Sequence, residues 1–460
     1  MLKAAGINPD RETVLLFTNL SDWDPVNKTF VHKSPYYAKG SNLAGLAWQL
    51  DSPELDTGNL ELKKPIIHDG EYGEISLGKH NSIFIGGIAH ELGHALGLPH
   101  CRENSNHDKT ALMGTGNFTY GDEIRGEGTG SFITLAHALR LASHPQFSGS
   151  VKGLNLPAKA NFSSLAVTGG SDQFAISGHV RSSIPVYAVV AYLDPEGGDD
   201  YDSRTAVAVP DADGTFSITC RELVPGKPAQ VRLSACLANG AVTTWQSTYR
   251  VDEDGTPNIE ALETVLELGD FVDALNRNDN QSAKLFRDRF DRKTRNYKIC
   301  SAILAGKNRN TAVKTLKEVS EDAGKFPLSK VAPKAESVGW WQPAYNHVPN
   351  ESLLLISAGE VFTTGIYAHA ESRHIYEVGD GNWSYLEGKC GLPPMRSGSV
   401  VFVIKTDGKE VFRSEVVRPN ECTGYRINLS GVSELELLTE DADDGKASDW
   451  GMWFDPILHR

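Results

Sequence analysis

The sequence predicts a multidomain α+β protein. The chain has 460 residues, which corresponds to about three domains at roughly 150 residues each. Its apolar fraction of 40% is normal for globular protein, so each domain can bury a core. The pattern of apolar and turn residues also changes along the chain. We therefore expect four segments, at residues 1–148, 149–252, 253–325 and 326–460.

The first segment mixes strand and helix patterns. We interpret residues 12–20, ETVLLFTNL, as a short buried strand, and residues 34–50 as an aromatic, glycine-rich loop that runs into an edge strand. Apolar residues at helical spacing predict a helix over 81–98. A second helical pattern at 132–144 ends at Pro145.

The later segments differ in the secondary structure that their residue patterns predict. Short strands follow one another from 150 to 251, separated by Gly, Asp and Pro turns, which predicts an all-β sandwich. The acidic hinge VDEDGTPN then leads into helical stretches at 257–276 and 279–304. The second stretch is strongly basic, and we interpret this as a solvated helix face. The chain is strand-rich again from 328 to its end, which predicts a second β-rich domain.

Charge and composition exclude some functions. The formal net charge of −14 argues against a nucleic-acid partner, because phosphate binding needs a basic surface. No apolar run approaches the roughly 18 residues of a membrane span, and the N-terminus shows no signal-peptide pattern. The six cysteines form no CxxC pair. Cys390 and Cys422 either pair in an oxidising compartment or remain two buried thiols.

The stretch GGIAHELGHALGLPH contains the candidate metal ligands and a candidate proton acceptor. His90 and His94 are four residues apart, so on a helix both imidazoles project from one face, one turn apart. Glu91 lies beside the first histidine, where a carboxylate can take a proton from bound water. Gly97 can adopt the positive φ that ends a helix and turns the chain back. His100 can then approach the same metal as a third nitrogen.

Three neutral nitrogens and one water form the open arrangement of a catalytic zinc site. The alternative is a helix whose histidines are satisfied by ordinary surface or core contacts. The pattern HExxHxxGxxH fixes five positions together, at 90, 91, 94, 97 and 100, and therefore favours catalytic zinc.

Met113 follows the zinc motif within TALMGTGNFTYG. Together these two stretches resemble the metzincin metallopeptidases, in which a methionine turn lies under the zinc, and Met113 matches that turn. By itself, Met113 would be read as a gap-filling core residue. The family has more sheet and a helix ahead of the zinc helix, so we expect the first strand and helix of that fold to be missing here.

The same stretches, with SPYYAKGSNLAGLAW, resemble the bacterial O-glycopeptidases. The resemblance implies an extracellular or cell-surface enzyme that cuts mucin-type glycoproteins beside O-glycosylated Ser or Thr. Sugar subsites favour aromatic rings flanked by polar groups. The candidate glycan contacts are Tyr36, Tyr37, Asn117, Phe118 and Tyr120. Alternatively, these rings only pack the walls of the cleft.

The C-terminal blocks VGWWQPAYNHVPN, GIYAHAESRHIYEV and ASDWGMWFDPILHR resemble the NPCBM domain, a galactose-binding-like β-sandwich. The resemblance implies carbohydrate binding, with Trp340, Trp341, His369 and Trp450 as candidate contacts. The alternative for each ring is core packing. The acidic stretch EDADDG, 440–445, either holds a Ca²⁺ ion through carboxylates or is an exposed turn.

These observations predict a zinc metalloendopeptidase that acts on O-glycosylated, mucin-like proteins. Two alternatives remain open at this stage. One is a zinc endopeptidase without glycan dependence, and the other is a glycan-binding adhesin with an inactive peptidase domain.

Overall fold

The protein is described here as a computed structural model. The structure describes residues 2–195, 200–307, 313–320, 322–349, 353–379, 382–394 and 397–460. Contacts within the chain define two units. The first comprises Met1–Pro195, Asp199–Val224 and Gln230–Gln246, and the second comprises Glu196–Gly198, Pro225–Ala229 and Ser247–Arg460.

The first unit contains a short mixed region and a run of longer strands. Its helices are α1 (Leu77–Ala95), α2 (Asp122–Arg125), α3 (Leu135–Ala142) and α4 (Pro145–Ser148). Its strands are β1 (Thr13–Thr18), β2 (Ser21–Asp24), β3 (Thr29–His32), β4 (Tyr37–Gly40), β5 (Gly45–Leu50), β6 (Ile66–Asp69), β7 (Gly73–Ser76), β8 (Thr110–Ala111), β9 (Ser131–Phe132), β10 (Ala160–Gly169), β11 (Phe174–Ser182), β12 (Val186–Pro195), β13 (Arg204–Ala208), β14 (Thr215–Cys220), β15 (Pro228–Leu237) and β16 (Val242–Val251), of which the last runs on into the second unit.

Two small sheets precede α1. One has the strand order β1-β5-β4, with β1 parallel to β5, and the other has the order β2-β3-β6-β7. The strand expected at 12–20 is β1, but it is only half-buried, with Leu15 and Phe17 exposed. Leu15 and Phe17 are two residues apart and therefore lie on the same face of β1, and this face is uncovered, whereas Val14 on the opposite face is buried. Residues 34–50 were predicted to run into an edge strand. This prediction is wrong, because β5, the strand at the end of this stretch, is the central strand of its sheet.

The helix α1 begins and ends at residues that cap it. The Ser76 hydroxyl accepts a hydrogen bond from the Lys79 N–H at 3.0 Å. At the other end Gly97 has φ +84°, which confirms the predicted turn. The Leu98 N–H reaches back to the Gly93 carbonyl at 3.0 Å, so the chain reverses direction directly after the helix.

The strands β10–β16 belong to two sheets. One sheet has the order β10-β11-β14, and the other contains β13, β12, β15 and β16 in that order. Buried residues alternate along β11 and β14, so that Phe174, Ile176 and Phe216 are covered while their neighbours are more exposed. This alternation is the period of two that gives each sheet an inner face.

The second unit combines a group of helices with a larger β-sandwich. Its helices are α5 (Glu260–Glu267), α6 (Gly269–Asn276), α7 (Asn280–Arg287) and α8 (Arg295–Lys307). Its further strands are β17 (Pro257–Asn258), β18 (Lys325–Pro327), β19 (Ala335–Ser337), β20 (Leu355–Ser357), β21 (Glu360–Phe362), β22 (Gly365–Tyr367), β23 (Ser372–Glu377), β24 (Tyr385–Gly391), β25 (Val400–Thr406), β26 (Lys409–Arg413), β27 (Cys422–Asn428), β28 (Glu434–Asp441) and β29 (Met452–His459).

The helical stretches are more divided than the sequence predicted. Each predicted helix is two shorter helices, with a break between α5 and α6 at Leu268 and a longer break between α7 and α8. The buried side chains Leu268, Phe271 and Ile299 belong to one apolar cluster. The four helices therefore pack around a shared cluster, a contact between residues distant in sequence that local spacing alone does not reveal. Within the described part of the chain, no helix has both the length and the apolar character needed to cross a membrane.

The C-terminal sandwich has a large apolar core. Its sheets have the orders β18-β29-β24-β27, with β22 also paired to β29, and β19-β23-β28-β25-β26. Phe402 and Trp453 are fully buried between them, with ring centroids 5.0 Å apart. Cys390 and Cys422 are separate thiols on neighbouring strands, where Cys422 lies opposite Gly391. The sequence left open whether these two cysteines form a disulfide, and in this structure they do not.

The packing of α1 predicts a severe effect for Gly86→Ala. A Cβ at this position would lie 2.2 Å from the backbone oxygen of Asn117, which cannot rotate away. We expect the substitution to destabilise the first unit by about 1–3 kcal/mol, as overpacking typically does. Differential scanning calorimetry measures the loss. Gly128→Ala is the matched control, because its Cβ would make only ordinary contact at 3.5 Å, and equal melting temperatures for both variants would contradict the packing.

Candidate metal centre

The histidines of the motif converge on one point. His90 and His94 lie on the last turns of α1, and the turn at Gly97 brings His100 back beside them. The Nε2 atom of His94 is 3.1 Å from that of His90 and 3.0 Å from that of His100. Two nitrogens bound to one tetrahedral zinc ion lie about 3.3 Å apart, given bond lengths of about 2.0–2.1 Å. The spacing therefore fits a single ion.

Backbone carbonyls set the tautomers of two of these rings. The Nδ1 atom of His90 is 2.7 Å from the Leu112 oxygen, and that of His94 is 2.8 Å from the Leu98 oxygen. A carbonyl can only accept, so Nδ1 carries the proton in both rings. In the neutral ring Nε2 is then left with a lone pair. Two lone pairs directed at each other repel unless a cation lies between them, so these rings could hold a metal ion.

Burial keeps His90 in the form that binds metals. Removal from water is the largest effect and lowers the pKa of His90 to about 4, with the neighbouring imidazoles His94 and His100 acting in the same direction. The ring is therefore neutral at physiological pH, and neutral imidazole is the ligand form. Among the residues that the structure describes, these three histidines are the one group of three or more His, Cys, Asp or Glu side chains whose ligand atoms all lie within 4.8 Å.

Glu91 and His90 both line a cleft of about 350 Å³. The side chain is partly buried, and this burial raises the pKa of its carboxyl above the ordinary value, while His100 opposes the shift. A carboxylate of raised pKa is a better proton acceptor. With an ion held by three nitrogens and one position open, the site can bind water next to a group that takes its proton. The cleft is lined by His32, Ser34, Tyr36, Glu71, Tyr72, Ile83, Phe84, Gly87, His90, Glu91, Asn117, Phe118 and Tyr201.

Met113 packs directly beneath the helix. It is 1% exposed, and a Cβ at Gly93 would come within 2.3 Å of its sulfur, so only glycine allows this approach. The Met113 carbonyl accepts from the Cys101 N–H at 3.2 Å. The same turn supplies the Leu112 oxygen that orients His90. The turn that contains Met113 therefore packs against the helix that carries His90 and His94.

The predicted glycan residues divide into two groups. Tyr36, Asn117 and Phe118 line the cleft that contains Glu91. Tyr37 is 55% exposed and Tyr120 is partly buried, and neither belongs to the lining. Tyr37 is the first residue of β4, where successive side chains alternate between opposite sides, so it does not follow Tyr36 into the cleft.

Several lining residues were not predicted. Phe84 is seven residues before Glu91 on α1, which is about two helical turns, so the two side chains lie on the same face of the helix. Helical periodicity could therefore have identified Phe84. His32 and Tyr72 come from separate hairpins, and their rings pack on Phe84 at 5.0 and 6.0 Å. Tyr201 comes from the β-sandwich and stacks on His100 with ring centroids 3.5 Å apart. No motif near these last three residues signals their role.

The C-terminal candidates differ in exposure. Trp340 and Trp341 are 57% and 51% exposed, with ring centroids 6.2 Å apart. His369 is buried, and Trp450 is half-buried, 6.0 Å from it, and packs against an apolar cluster. The first two rings are therefore available to a ligand, whereas the other two contribute to packing.

The acidic stretch 440–445 is engaged with protein groups. Arg413 donates to the Glu440 carboxylate at 2.8 Å, and the Ser399 hydroxyl donates to Asp444 at 2.6 Å. Its carboxylates are not part of any group of three close ligand atoms in the described ranges.

Comparison with protein families identifies the C-terminal domain. Residues 324–459 match the model of the NPCBM/NEW2 domain, so this part of the chain is an NPCBM domain, as the sequence predicted. Comparison with curated proteins gives no match.

Solved structures give partial similarity at low identity. OgpA from Akkermansia muciniphila is 24% identical over 55% of this chain and 69% of its own, with a TM-score of 0.41. The CBM51 module of Clostridium perfringens GH95, in complex with methyl-galactose, is 24% identical over 29% of this chain and 99% of its own, with a TM-score of 0.27. The M60 catalytic domain with two CBM51 domains from Clostridium perfringens ZmpB is 13% identical over 87% of this chain and 44% of its own, with a TM-score of 0.29.

The convergence of the three rings predicts that His94→Ala loses the metal. The His94 ring is 3.0–3.1 Å from both of the others, so its removal leaves two ligands. Loss of an outer contact to a ligand typically lowers metal affinity about 10- to 100-fold, and we expect loss of the ligand itself to exceed this. Equilibrium dialysis followed by elemental analysis measures the zinc content. His68→Ala, at an exposed position, is the control and retains about one zinc per chain. Equal zinc contents for both variants would refute the site.

Proposed function

We propose that this chain is a zinc metalloendopeptidase that cleaves O-glycosylated, mucin-type proteins next to glycosylated Ser or Thr. The observation that supports it best is the convergence of His90, His94 and His100, together with a cleft that both His90 and Glu91 line. Three imidazole ligands are the donor set of a hydrolytic zinc site, and a nearby carboxylate that is not a ligand is its proton acceptor.

The donor set fits zinc better than a harder ion. Imidazole nitrogen suits zinc and other late transition metals, whereas Mg²⁺ and Ca²⁺ prefer oxygen ligands. When bound, zinc supplies Lewis-acid activation of water and of the scissile carbonyl. The Leu112 and Leu98 carbonyls hold the first two imidazoles in the ligating orientation. The Glu91 carboxylate accepts the proton of the attacking water and passes it to the leaving amine.

The walls of the cleft support a glycosylated substrate. Tyr36, Tyr72, Phe84 and Phe118 place aromatic rings around it, and Asn117 adds an amide. Sugars present apolar C–H faces and hydroxyl groups, which aromatic rings and amides bind together. The NPCBM domain supports the same substrate class, because it belongs to a family of carbohydrate-binding modules.

We propose that the NPCBM domain holds the enzyme at its substrate. Its exposed Trp340 and Trp341 rings are the proposed carbohydrate contacts. A second binding site on the same chain raises apparent affinity for a target with many closely spaced glycans, such as mucin, without changing the chemistry at the first. Carbohydrate-binding modules of this kind are typical of extracellular proteins, so we propose an extracellular location for this chain.

The role of Glu91 predicts a separation of metal binding from catalysis. Glu91→Gln removes the proton acceptor but leaves the three histidines, so zinc content stays at that of the wild type. We expect the cleavage rate to fall about 100- to 10,000-fold, the usual contribution of a general base. Cleavage of a fluorogenic glycopeptide by zinc-loaded protein measures it. Glu74→Gln, at an exposed position of β7, is the control for loss of a carboxylate. Substantial activity in the zinc-loaded Glu91 variant would rule out the assigned role.

Glycan dependence separates the proposed function from ordinary peptide hydrolysis. Two synthetic peptides of one sequence are compared, one carrying galactosyl-GalNAc on a single Thr and one bare. We expect cleavage of the glycosylated peptide beside the sugar and at least about tenfold slower cleavage of the bare one, because the aromatic cleft then lacks its ligand. Mass spectrometry locates the cut. Equal rates would favour a zinc endopeptidase without glycan dependence, and no cleavage of either by zinc-loaded protein would favour an inactive glycan-binding protein.

A further inference from the structure

Residues 200–203, the segment directly before β13 of the β-sandwich, lie at the candidate metal centre. Its short 3₁₀ turn, Asp200–Asp202, carries Tyr201. The Tyr201 ring stacks on the His100 imidazole, with centroids 3.5 Å apart and planes 24° apart. It is also nearly parallel to His90, at 6.3 Å and 12°. The same ring lines the cleft that contains Glu91.

The chain directly after His100 is bound to this segment. The Arg102 N–H donates to the Ser203 carbonyl at 2.9 Å, and the Arg102 guanidinium donates to Asp202 at 3.1 Å. Ser203 is fully buried, so the backbone contact is sheltered from water. A sheltered backbone hydrogen bond beside an ion pair fixes the distance between the two segments.

Two further contacts continue the attachment. The Asn104 amide donates to the Thr205 carbonyl at 3.0 Å, on the first residues of β13. The Ser105 N–H and hydroxyl both donate to the Glu222 carboxylate, at 2.9 and 2.8 Å. The segment 102–105 is therefore bound to the β-sandwich along its whole length.

The turn that precedes His100 is also linked to the sandwich, through Arg140 on α3. The Arg140 guanidinium on α3 donates to the Gly97 carbonyl at 2.5 Å and to the Tyr192 hydroxyl at 3.3 Å. Tyr192 is a fully buried residue of β12. Both ends of the turn that presents His100 are thus connected to the sandwich, whereas His90 and His94 lie on α1.

We propose that the β-sandwich is part of the metal centre, with Tyr201 as a positioning residue that holds the His100 imidazole in its ligating orientation and forms one wall of the cleft. The third ligand follows a glycine turn, where the backbone alone does not fix the ring. A flat ring stacked on the imidazole at 3.5 Å restricts its rotation about the Cα–Cβ and Cβ–Cγ bonds, because a rotated imidazole would collide with it. The inference rests on the zinc site of the proposed function.

Zinc release from the full chain tests this inference. Zinc-loaded wild type, Tyr201→Leu, Tyr201→Phe and Tyr37→Leu are mixed with a chromophoric chelator, and the rate of transfer is recorded. Leucine keeps bulk but removes the flat ring, phenylalanine keeps the ring, and Tyr37 is an exposed tyrosine outside the cleft lining. We expect Tyr201→Leu to release zinc about tenfold faster, and the other two variants to match the wild type.

Cobalt substitution gives a readout that a general loss of stability does not mimic. The visible absorption bands of Co²⁺ report the geometry of its ligands, and we expect them to shift in Tyr201→Leu alone. Asp202→Ala provides a second variant, since it loosens the segment 200–203 by removing the Arg102 contact and leaves the ring in place. We expect its zinc release to be faster than that of the wild type, even if Tyr201→Leu fails to fold.

The outcomes separate this inference from the proposed function. If the wild type binds no zinc, the proposed function is wrong. If the wild type binds zinc, and folded Tyr201→Leu matches it in release rate and cobalt spectrum, the positioning role of Tyr201 is refuted while the zinc site stands. If Tyr201→Leu does not fold and Asp202→Ala releases zinc at the wild-type rate, the role is likewise refuted.

Discussion

The fixed orientation of three imidazole rings is the constraint on which the centre depends. Two backbone carbonyls hold Nδ1 of His90 and His94, which leaves their Nε2 lone pairs directed at each other. Such an arrangement is unfavourable without a cation, so the local structure must hold it. The cap at Ser76, the turn at Gly97 and the buried Met113 each contribute to that support.

The part of the centre that the sequence predicted is the part that is local along the chain. Helical spacing places His90 and His94 on one face, and a glycine at 97 permits the turn that returns His100, which φ +84° confirms. Residues of the centre that are distant from the motif in sequence could not be predicted from helical spacing or turn residues. Tyr201 is a hundred residues away along the chain and belongs to another sheet, so no period or spacing connects it with His100.

The same distinction explains the errors in the fold. Residues 12–20 have the apolar content of a buried strand, yet Leu15 and Phe17 on one face of β1 are exposed, because burial depends on what packs against each face of the strand. Two helices were predicted after residue 257, whereas the structure has the shorter helices α5–α8, which pack around a shared apolar cluster. The C-terminal domain was predicted more fully, because its separated sequence blocks are those of the NPCBM family.

X-ray absorption at the zinc edge tests the central claim most directly. The zinc-loaded chain is predicted to give a four-coordinate spectrum, with three imidazole nitrogens and one further light atom at about 2.0–2.1 Å. The multiple scattering of imidazole rings makes their number measurable. A sulfur shell at about 2.3 Å, six-coordination, or fewer than three imidazoles would contradict a centre built from His90, His94 and His100.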